Sequence, residues 1–438
     1  MKLKTVIKNV LLGSVAGLAM VGTAAAADLP VKAKAAEYVK ICSTYGAGFY
    51  YIPGTDTCLK VGGYVTADTY YTDINAKSRY TSPDVLYRNS DDPDGQSYFL
   101  TRVGVQLDAR TQTEYGTLRS YFEGRFNAGE DYGFGQAIET GSFSFSDDSF
   151  NNASLKYGYI QFAGFTFGRA TSAFDFWAGD GWQGIQPGSF YSDATLNVIQ
   201  YTADFGNGFS ATIALEDSYG REDEYANFVE LQGQQVPDIV ANIAYEGTWG
   251  AFKVSGAWHQ IGDWNPLTPD GNQVLGYSND DSGWAVLAGV RFDFAETTTL
   301  YVEGAYASGA PGYLGLAGTI PVVDLSGNAV SGWYVGGALI HYWTPSVFTT
   351  LVGSYTQTDN FQTSYSYDDL EVAGVASTDF TGYNVGVNIG WVPVKGLTLV
   401  LQYDYLSAEY AGTDYINTAA LSTEATQNRV TFSAKRKF

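Results

Sequence analysis

Residues 116–126, Gly-Thr-Leu-Arg-Ser-Tyr-Phe-Glu-Gly-Arg-Phe, alternate between two kinds of side chain. The apolar or small positions are Leu118, Ser120, Phe122, Gly124 and Phe126. The polar and charged positions are Arg119, Tyr121, Glu123 and Arg125. Successive side chains of a β-strand point to opposite faces of the sheet, so this stretch predicts a strand with one apolar and one wet face. A soluble sandwich strand has the same pattern, and one strand does not separate it from a membrane barrel.

The same unit recurs from about Lys60 to Phe438, and its connections alternate between short and long. Seven tight connections lie at 114–116, 163–164, 206–208, 248–250, 295–298, 344–346 and 393–396. Eight long segments lie at about 72–97, 127–152, 169–195, 217–237, 259–282, 307–331, 356–380 and 406–427. Loops of more than about 15 residues are uncommon in compact soluble domains. The pattern therefore predicts an all-β fold, a transmembrane antiparallel β-barrel of 16 strands with long external loops and short periplasmic turns.

A barrel of this size has a functional consequence. Pairing the first strand with the last leaves no unpaired edge in lipid. Eight-stranded barrels are filled by their own side chains, whereas sixteen strands enclose more space and leave an aqueous channel. The count therefore predicts a passage for small hydrophilic solutes and ions.

The first residues predict export. Residues 1–26 carry a basic start, an apolar stretch from Val10 to Val21 and small residues before a cut after Ala26 or Ala27, which is the pattern of a signal peptide. Its removal takes three lysines from a net charge of -22, leaving about -25. We expect residues 27–58 to form a periplasmic lead-in with a cysteine-flanked hairpin, and residues 59–438 to form the pore domain.

Composition agrees with a barrel in the bacterial outer membrane. Charged residues make up 16% of the chain, against about 25% in soluble domains. After the signal, no window approaches the roughly 20 unbroken apolar residues of a spanning helix. Aromatic residues are also 16%, and tyrosine and tryptophan favour the bilayer interface.

The two cysteines, Cys42 and Cys58, flank a turn signal at residues 52–56. In an exported chain they are expected to close a disulfide, with two reduced thiols as the alternative.

Residues 38–65, YVKICSTYGAGFYYIPGTDTCLKVGGYV, closely resemble the opening of the alphaproteobacterial general porins. The resemblance continues through residues 116–118, 159–161, 207–210 and the terminal Phe438, and covers essentially the mature chain. It implies a homotrimer of sixteen-stranded barrels in the outer membrane, each a passive diffusion pore narrowed by its third loop at about 169–195. The terminal aromatic strand also resembles the assembly signal of such barrels, although Arg436 interrupts its apolar face.

Selectivity residues are predicted on the wet face of two strands and in that loop. Arg102, Arg110, Arg119 and Arg125 would form a basic ladder on one wall. Asp175, Asp180 and Asp193 would face it if the loop folds inward, as it does in the porins that the chain resembles. Opposed charges across a narrow opening give a transverse field that favours polar solutes. The alternative is that some arginines pair within the wall, for example Arg119 or Arg125 with Glu123.

Most of the acidic excess lies in long segments, in groups such as residues 91–94, 147–148, 222–224, 280–281 and 368–369. These groups are expected to be solvated, and they could also gather divalent cations that bridge to lipopolysaccharide phosphates. The strong negative charge argues against nucleic acid.

Three rival functions have different requirements. An outer-membrane hydrolase would want a histidine beside a nucleophile, but only His259 and His341 occur and both resemble interface residues. A substrate-specific channel would want an aromatic track in the lumen, which Tyr157 and Tyr159 could begin. A structural or adhesive barrel would need only a closed lumen. With no metal-ligand spacing or nucleotide fingerprint in the sequence, we expect no cofactor and no enzymatic activity.

Overall fold

A computed structural model gives the fold, and it describes residues 40–81, 86–91, 95–129, 152–177, 190–221, 229–232, 235–261, 263–266, 282–316, 319–367, 372–414 and 420–438. The predicted signal peptide, the lead-in before Lys40 and Asp180 lie outside the described residues. The chain divides into two units, residues 1–40 and 41–438, and every strand of the fold belongs to the second unit.

The described residues form strands in which backbone pairing continues from one to the next. They are β1 (Tyr50–Tyr51), β2 (Cys58–Thr81), β3 (Leu86–Asp91), β4 (Gln96–Thr113), β5 (Gly116–Gly129), β6 (Asn152–Phe162), β7 (Phe165–Thr171), β8 (Thr195–Gly206), β9 (Phe209–Glu216), β10 (Val229–Gln232), β11 (Asp238–Gly247), β12 (Gly250–Gln260), β13 (Asp263–Pro266), β14 (Ser282–Phe294), β15 (Thr298–Ser308), β16 (Ser331–Thr344), β17 (Val347–Thr358), β18 (Phe361–Tyr367), β19 (Val372–Val394), β20 (Leu397–Asp414) and β21 (Ala420–Lys437).

Sixteen of these strands close into a barrel, as predicted. Each pairs antiparallel with the next, in the order β2, β4, β5, β6, β7, β8, β9, β11, β12, β14, β15, β16, β17, β19, β20 and β21. The ring closes because β21 pairs back with β2, from Tyr64 opposite Lys437 to Thr81 opposite Ala420. The remaining strands in the described part are short additions, of which β10 and β13 pair only with each other.

All seven predicted tight connections are turns between consecutive barrel strands. At 163–164 and 207–208 both central residues have positive φ, with values of 49° at Ala163 and 55° at Asn207. Two-residue turns with this geometry match the twist of the strands that they join, which explains why Gly164 and Gly208 follow there.

The predicted external segments at 72–97, 356–380 and 406–427 are too long. β2 continues to Thr81, β19 begins at Val372, and only residues 415–419 separate β20 from β21. β2 has 24 residues and β19 has 23, although about 9–11 tilted residues span the bilayer. The apolar alternation ends before these strands do, because backbone pairing with β3 and β18 extends them through more polar residues.

The predicted faces of β4 and β5 are confirmed. On the outer surface Phe99 is 69% exposed and Phe126 is 53% exposed, as expected for side chains that contact lipid. On the inner surface Glu123 is buried at 4%. Within the described residues, no helix has the length and apolar character to cross a membrane.

The disulfide is also confirmed, because Cys42 and Cys58 are bonded with their Cα atoms 6.0 Å apart. It ties residues 42–58 to the periplasmic end of β2, where Tyr50 pairs with Leu59. Phe49 is buried against the two cysteines.

Candidate functional site

The four predicted arginines lie on the inner surface of two neighbouring strands. Arg102 and Arg110 belong to β4, Arg119 and Arg125 belong to β5, and Arg110 stands directly opposite Arg119. The side chains of Arg110, Arg119 and Arg125 are 28%, 24% and 26% exposed. We call the inner surface of β4, β5 and β6 the arginine wall.

Acids of the same wall, rather than of a loop, pair with three of these arginines. Asp108 binds Arg110 at 2.7 Å and Arg119 at 3.0 Å. Glu123 binds Arg125 at 2.9 Å, as the within-wall alternative proposed. Sequence reasoning missed the role of Asp108. Its position two residues before Arg110 on the same face was the available signal.

The wall nevertheless keeps a positive balance. Its strands carry five basic side chains, Arg102, Arg110, Arg119, Arg125 and Lys156, against the two acids Asp108 and Glu123. Arg102 forms no ion pair in the described part of the chain, and its Nε donates to Asn127 Oδ1 at 2.7 Å.

Aromatic rings pack beside these cations. The Arg119 guanidinium lies 5.1 Å from the ring centre of Tyr121 and 5.5 Å from that of Tyr159, and these two rings stack. Tyr157 packs edge-on against Tyr159. At the periplasmic end Arg110 lies 5.1 Å from the ring of Phe49 in the disulfide hairpin. The rings restrict the arginines to the wall.

Residues 172–177 and 190–194, the described parts of the third loop (172–194), lie inside the barrel and pack on the side opposite the arginine wall. Ala173 N donates to Glu216 of β9 at 2.7 Å, and Lys253 of β12 donates to the Asp175 carbonyl at 2.7 Å. Trp177 N donates to Glu303 of β15 at 3.1 Å. The returning limb is held by Phe190 N, which donates to Ser354 of β17 at 3.1 Å. The described parts of the loop thus follow the inner surface from β9 to β17.

The three predicted aspartates do not share one environment. Asp175 is 2% exposed and binds Arg221 of the fourth loop, residues 217–237, at 2.9 Å. Its charge is therefore not presented to the arginine wall. Asp193 is partly exposed, and its negative charge attracts the positive charge of Lys156 in that wall. Asp180 lies outside the described residues.

The sixth loop, residues 309–330, also packs inside the barrel, which the sequence reasoning missed. Leu314, Leu316 and Ile320 are buried in one cluster with Phe174 of the third loop. The sequence contained a signal for this packing in its composition. Apart from the Tyr313 phenol, Asp324 is the only ionisable residue of segment 309–330, whereas the other long loops are acidic.

The interpretation of His259 as an interface residue is wrong. Its Nδ1 lies 2.8 Å from Asp238 Oδ1 on the inner surface, and Asp238 Oδ2 accepts a hydrogen bond from Tyr313 Oη at 2.6 Å. Burial raises the pKa of the Tyr313 phenol well above its usual range, so the phenol remains protonated and donates. The group joins the sixth loop to β11 and β12.

A cavity of about 540 Å³ opens on the periplasmic side of the third loop. Residues 171–173 and 175–177 bound it on one side, and residues near the periplasmic turns, including Glu246, Lys253 and Arg291, bound it on the other. Cavities of roughly 300–1,000 Å³ accommodate small organic solutes. In the part of the chain that the structure describes, no group of three or more His, Cys, Asp or Glu residues could hold a metal ion.

A closed barrel of sixteen strands, with an apolar outer surface, a charged inner wall and a loop folded into the lumen, defines the class of outer-membrane channels. Comparison with known proteins gives the family. The family model described as the porin subfamily matches residues 28–433. The chain belongs to this porin family.

Individual relatives agree. Porin Omp2b of Brucella suis is 30% identical over 345 residues, covering 68% of this chain and 84% of that protein. Porin Omp2b of Brucella abortus (strain 2308) is 31% identical over 339 residues, with the same coverage. The outer membrane channel DcaP of Acinetobacter baumannii has a similar fold, with a TM-score of 0.59 at 15% identity, over 89% of this chain and 99% of that one. The chain is therefore an outer-membrane porin.

Proposed function

We propose that the channel admits small hydrophilic solutes and ions by passive diffusion through a passage between the arginine wall and the third loop. The observation that carries this proposal is the partial exposure of Arg110, Arg119 and Arg125, which are ion-paired yet remain about one quarter exposed. The third loop packs on the strands across the lumen, and its described residues leave the wall accessible to water.

Charge on the two sides of the passage would act on solutes in transit. The arginine wall carries a positive balance, and Asp193 of the third loop is the predicted aspartate that remains partly exposed. A field across a narrow aqueous opening orients polar molecules and disfavours apolar ones, which would have to displace ordered water. The proposed constriction set is therefore Arg102, Arg110, Arg119 and Arg125 with Asp193, while Asp175 supports the loop from within. Asp180, which lies outside the described residues, stays a prediction.

The assembly is proposed to be a homotrimer in the outer membrane, in contact with lipopolysaccharide. The resemblance to general porins supports the trimer, and the acidic external loops support cation-bridged contacts with lipopolysaccharide phosphates. Transport is driven only by concentration gradients, without enzymatic turnover or a cofactor.

A substrate-specific channel is the second candidate, and one observation favours it. Tyr121, Tyr157 and Tyr159 form a continuous aromatic group on the arginine wall, with ring centres 5.3 to 6.5 Å apart. Such a surface could slow a sugar through ring contacts. Conductance that saturates with one sugar would favour this candidate, whereas flux that falls smoothly with solute size would favour general diffusion.

The test is single-channel conductance in planar bilayers, with the reversal potential measured under a potassium chloride gradient. Openings in steps of three are expected. In R102Q a positive charge is removed without leaving an acid unpaired, so the preference for potassium over chloride should rise. A unit charge about 10 Å from an ion in water is worth about 0.4 kcal/mol, or about a factor of two in local concentration.

R436Q is the matched control, because Arg436 is exposed and donates to the Lys395 carbonyl at a periplasmic turn. An unchanged reversal potential in R102Q would remove Arg102 from the constriction. A correctly folded barrel without any conductance would contradict the channel itself.

A further inference from the structure

Three external loops meet at one buried arginine. Arg221 ends a short 3-10 turn, Ser218–Arg221, in the fourth loop, residues 217–237. Its Nη2 donates to Asp175 Oδ1 at 2.9 Å, and its Nη1 donates to Ser192 Oγ at 2.8 Å and to the Gly312 carbonyl at 3.3 Å. The guanidinium also lies 4.1 Å from the ring centre of Tyr313. One side chain therefore contacts the third and the sixth loops together.

The two contacts to the third loop lie on opposite limbs. Asp175 belongs to the limb that enters the lumen, and Ser192 belongs to the limb that returns. Ser192 Oγ donates to Asp175 Oδ1 at 2.5 Å, and Ala194 N donates to Asp175 Oδ2 at 2.7 Å. The limbs are thus closed on each other at the base of the loop, with Arg221 neutralising the carboxylate between them.

The site is dry and closely packed. The side chains of Arg221 and Asp175 are 2% and 0% exposed. A Cβ on Gly312 would lie 1.9 Å from the Arg221 carbonyl oxygen, and a Cβ on Gly315 would lie 2.3 Å from the Tyr191 carbonyl oxygen. Only glycine permits this approach of the sixth loop. Burial lowers the pKa of the Arg221 guanidinium, but the neighbouring groups Asp175, Tyr313 and Glu216 together outweigh burial, and the pKa is raised.

We propose that Arg221 is the positioning residue that locks the third loop inside the barrel, by joining its two limbs to each other and to the sixth loop, and so fixes the size limit of the pore. This inference rests on the proposed function. Arg221 itself is buried and does not contact the passing solute. Its effect on transport is indirect, through the position of the third loop.

The physical basis is the absence of water at the junction. A buried carboxylate that loses the cation paired with it is strongly destabilised. Lys253 remains close to Asp175, but its Nζ donates to the backbone carbonyl and not to the carboxylate. Asp175 would then move toward water and separate the limbs. Loop motions on the microsecond to millisecond scale fall within the range that appears as closures in a single-channel record.

The experiment compares wild type with R221Q, with the double variant R221Q/D175N and with the control R169Q. Arg169 of β7 donates to the Leu155 carbonyl at 3.0 Å, away from the Arg221 junction. Folding is checked first by heat-modifiability on a denaturing gel. Folded R221Q is expected to show brief closures at least several times more often than wild type, and to admit larger sugars in liposome swelling. R169Q should behave as wild type. A merely structural role of Arg221 would lower the unfolding temperature without changing the size limit.

The double variant keeps the inference testable if R221Q does not fold, because it removes both buried charges. It still lacks the guanidinium bonds to Ser192 and Gly312, so we expect more closures and a larger size limit than in wild type. Both effects should be smaller than in R221Q, because no unpaired carboxylate remains. Folded variants with wild-type gating and wild-type size limit would overturn the inference.

Limited proteolysis separates this inference from the proposed function. Cleavage within the third loop of R221Q, but not of R169Q, would support the lock even if the wild-type barrel did not conduct. If wild type conducts and the third loop of R221Q resists protease, the channel is upheld and the lock is wrong.

Discussion

The two sides of the lumen, the arginine wall and the packed side formed by β9 to β17, are built from strands with the same alternating pattern. Loops cover the packed side and leave the arginine wall partly exposed. On the packed side the inner surface presents small residues, among them Ala214, Ala257, Ala285, Ala305 and Ala307, and they are buried with the third and sixth loops. On the arginine wall, long side chains hold themselves in place through Asp108, Glu123 and tyrosine rings. The size of the inward residue therefore decides where a loop can dock and where water remains.

The largest expected effect comes from removing the largest buried ring in the described part of the third loop. Trp177 is 1% exposed and stacks on Tyr191 and Tyr301. W177A should lower the free energy of unfolding in urea by about 3–5 kcal/mol, because the side chain leaves a cavity. W343A is the control: Trp343 is 65% exposed at the periplasmic side, and a change of about 0.5 kcal/mol is expected at such a surface site. Equal losses in both variants would contradict the packed side as a core.

A smaller effect is expected from filling the space that the packed side reserves for the loop. A Cβ on Gly289 would lie 2.2 Å from Cδ1 of Phe176. G289A should therefore lower the free energy of unfolding by about 1–3 kcal/mol through overpacking, and it should expose the third loop to protease. G256A is matched to it, because the nearest contact there is the Ala285 carbonyl oxygen at 3.9 Å. A loop equally protected in both variants would show that docking does not depend on this space.

The smallest effect on stability, but a clear one on selectivity, is expected on the arginine wall. Asp108 is 9% exposed and neutralises both Arg110 and Arg119, whose side chains are 28% and 24% exposed. D108N should about double the local chloride concentration and about halve that of potassium, as expected from one unit charge at about 10 Å in water. The sign is opposite to that expected for R102Q. If the reversal potentials of D108N and R102Q shifted in the same direction, the assignment of Asp108 and Arg102 to the channel wall would be wrong.

Local patterns were sufficient to predict much of the fold. Period-two alternation assigned Phe126 to lipid and Arg125 to the lumen, because neighbouring side chains in a strand must point to opposite faces. Gly164 and Gly208 marked turns that the backbone geometry requires. The basic ladder was placed on the correct surface for the same reason.

Long-range contacts could not be predicted in this way. The pairing of Arg221 with Asp175 joins two loops that meet only after the barrel closes. The register that sets Arg110 opposite Arg119, and so assigns Asp108 to both, also depends on pairing rather than on local sequence. The apolar composition of the sixth loop was visible, but its docking site depends on alanines scattered over distant strands.

The seam between β2 and β21 has a consequence for how the barrel forms. Every other pairing in the ring joins strands that follow one another in the barrel order, whereas the seam joins the first to the last. Chain entropy opposes contacts between distant residues, and such contacts slow folding. We therefore expect a refolding intermediate in which the strands are paired as an open sheet and the seam is not. Because the same sixteen strands that make the pore wide also separate β2 from β21 along the chain, we expect seam closure to be the slowest phase in refolding kinetics.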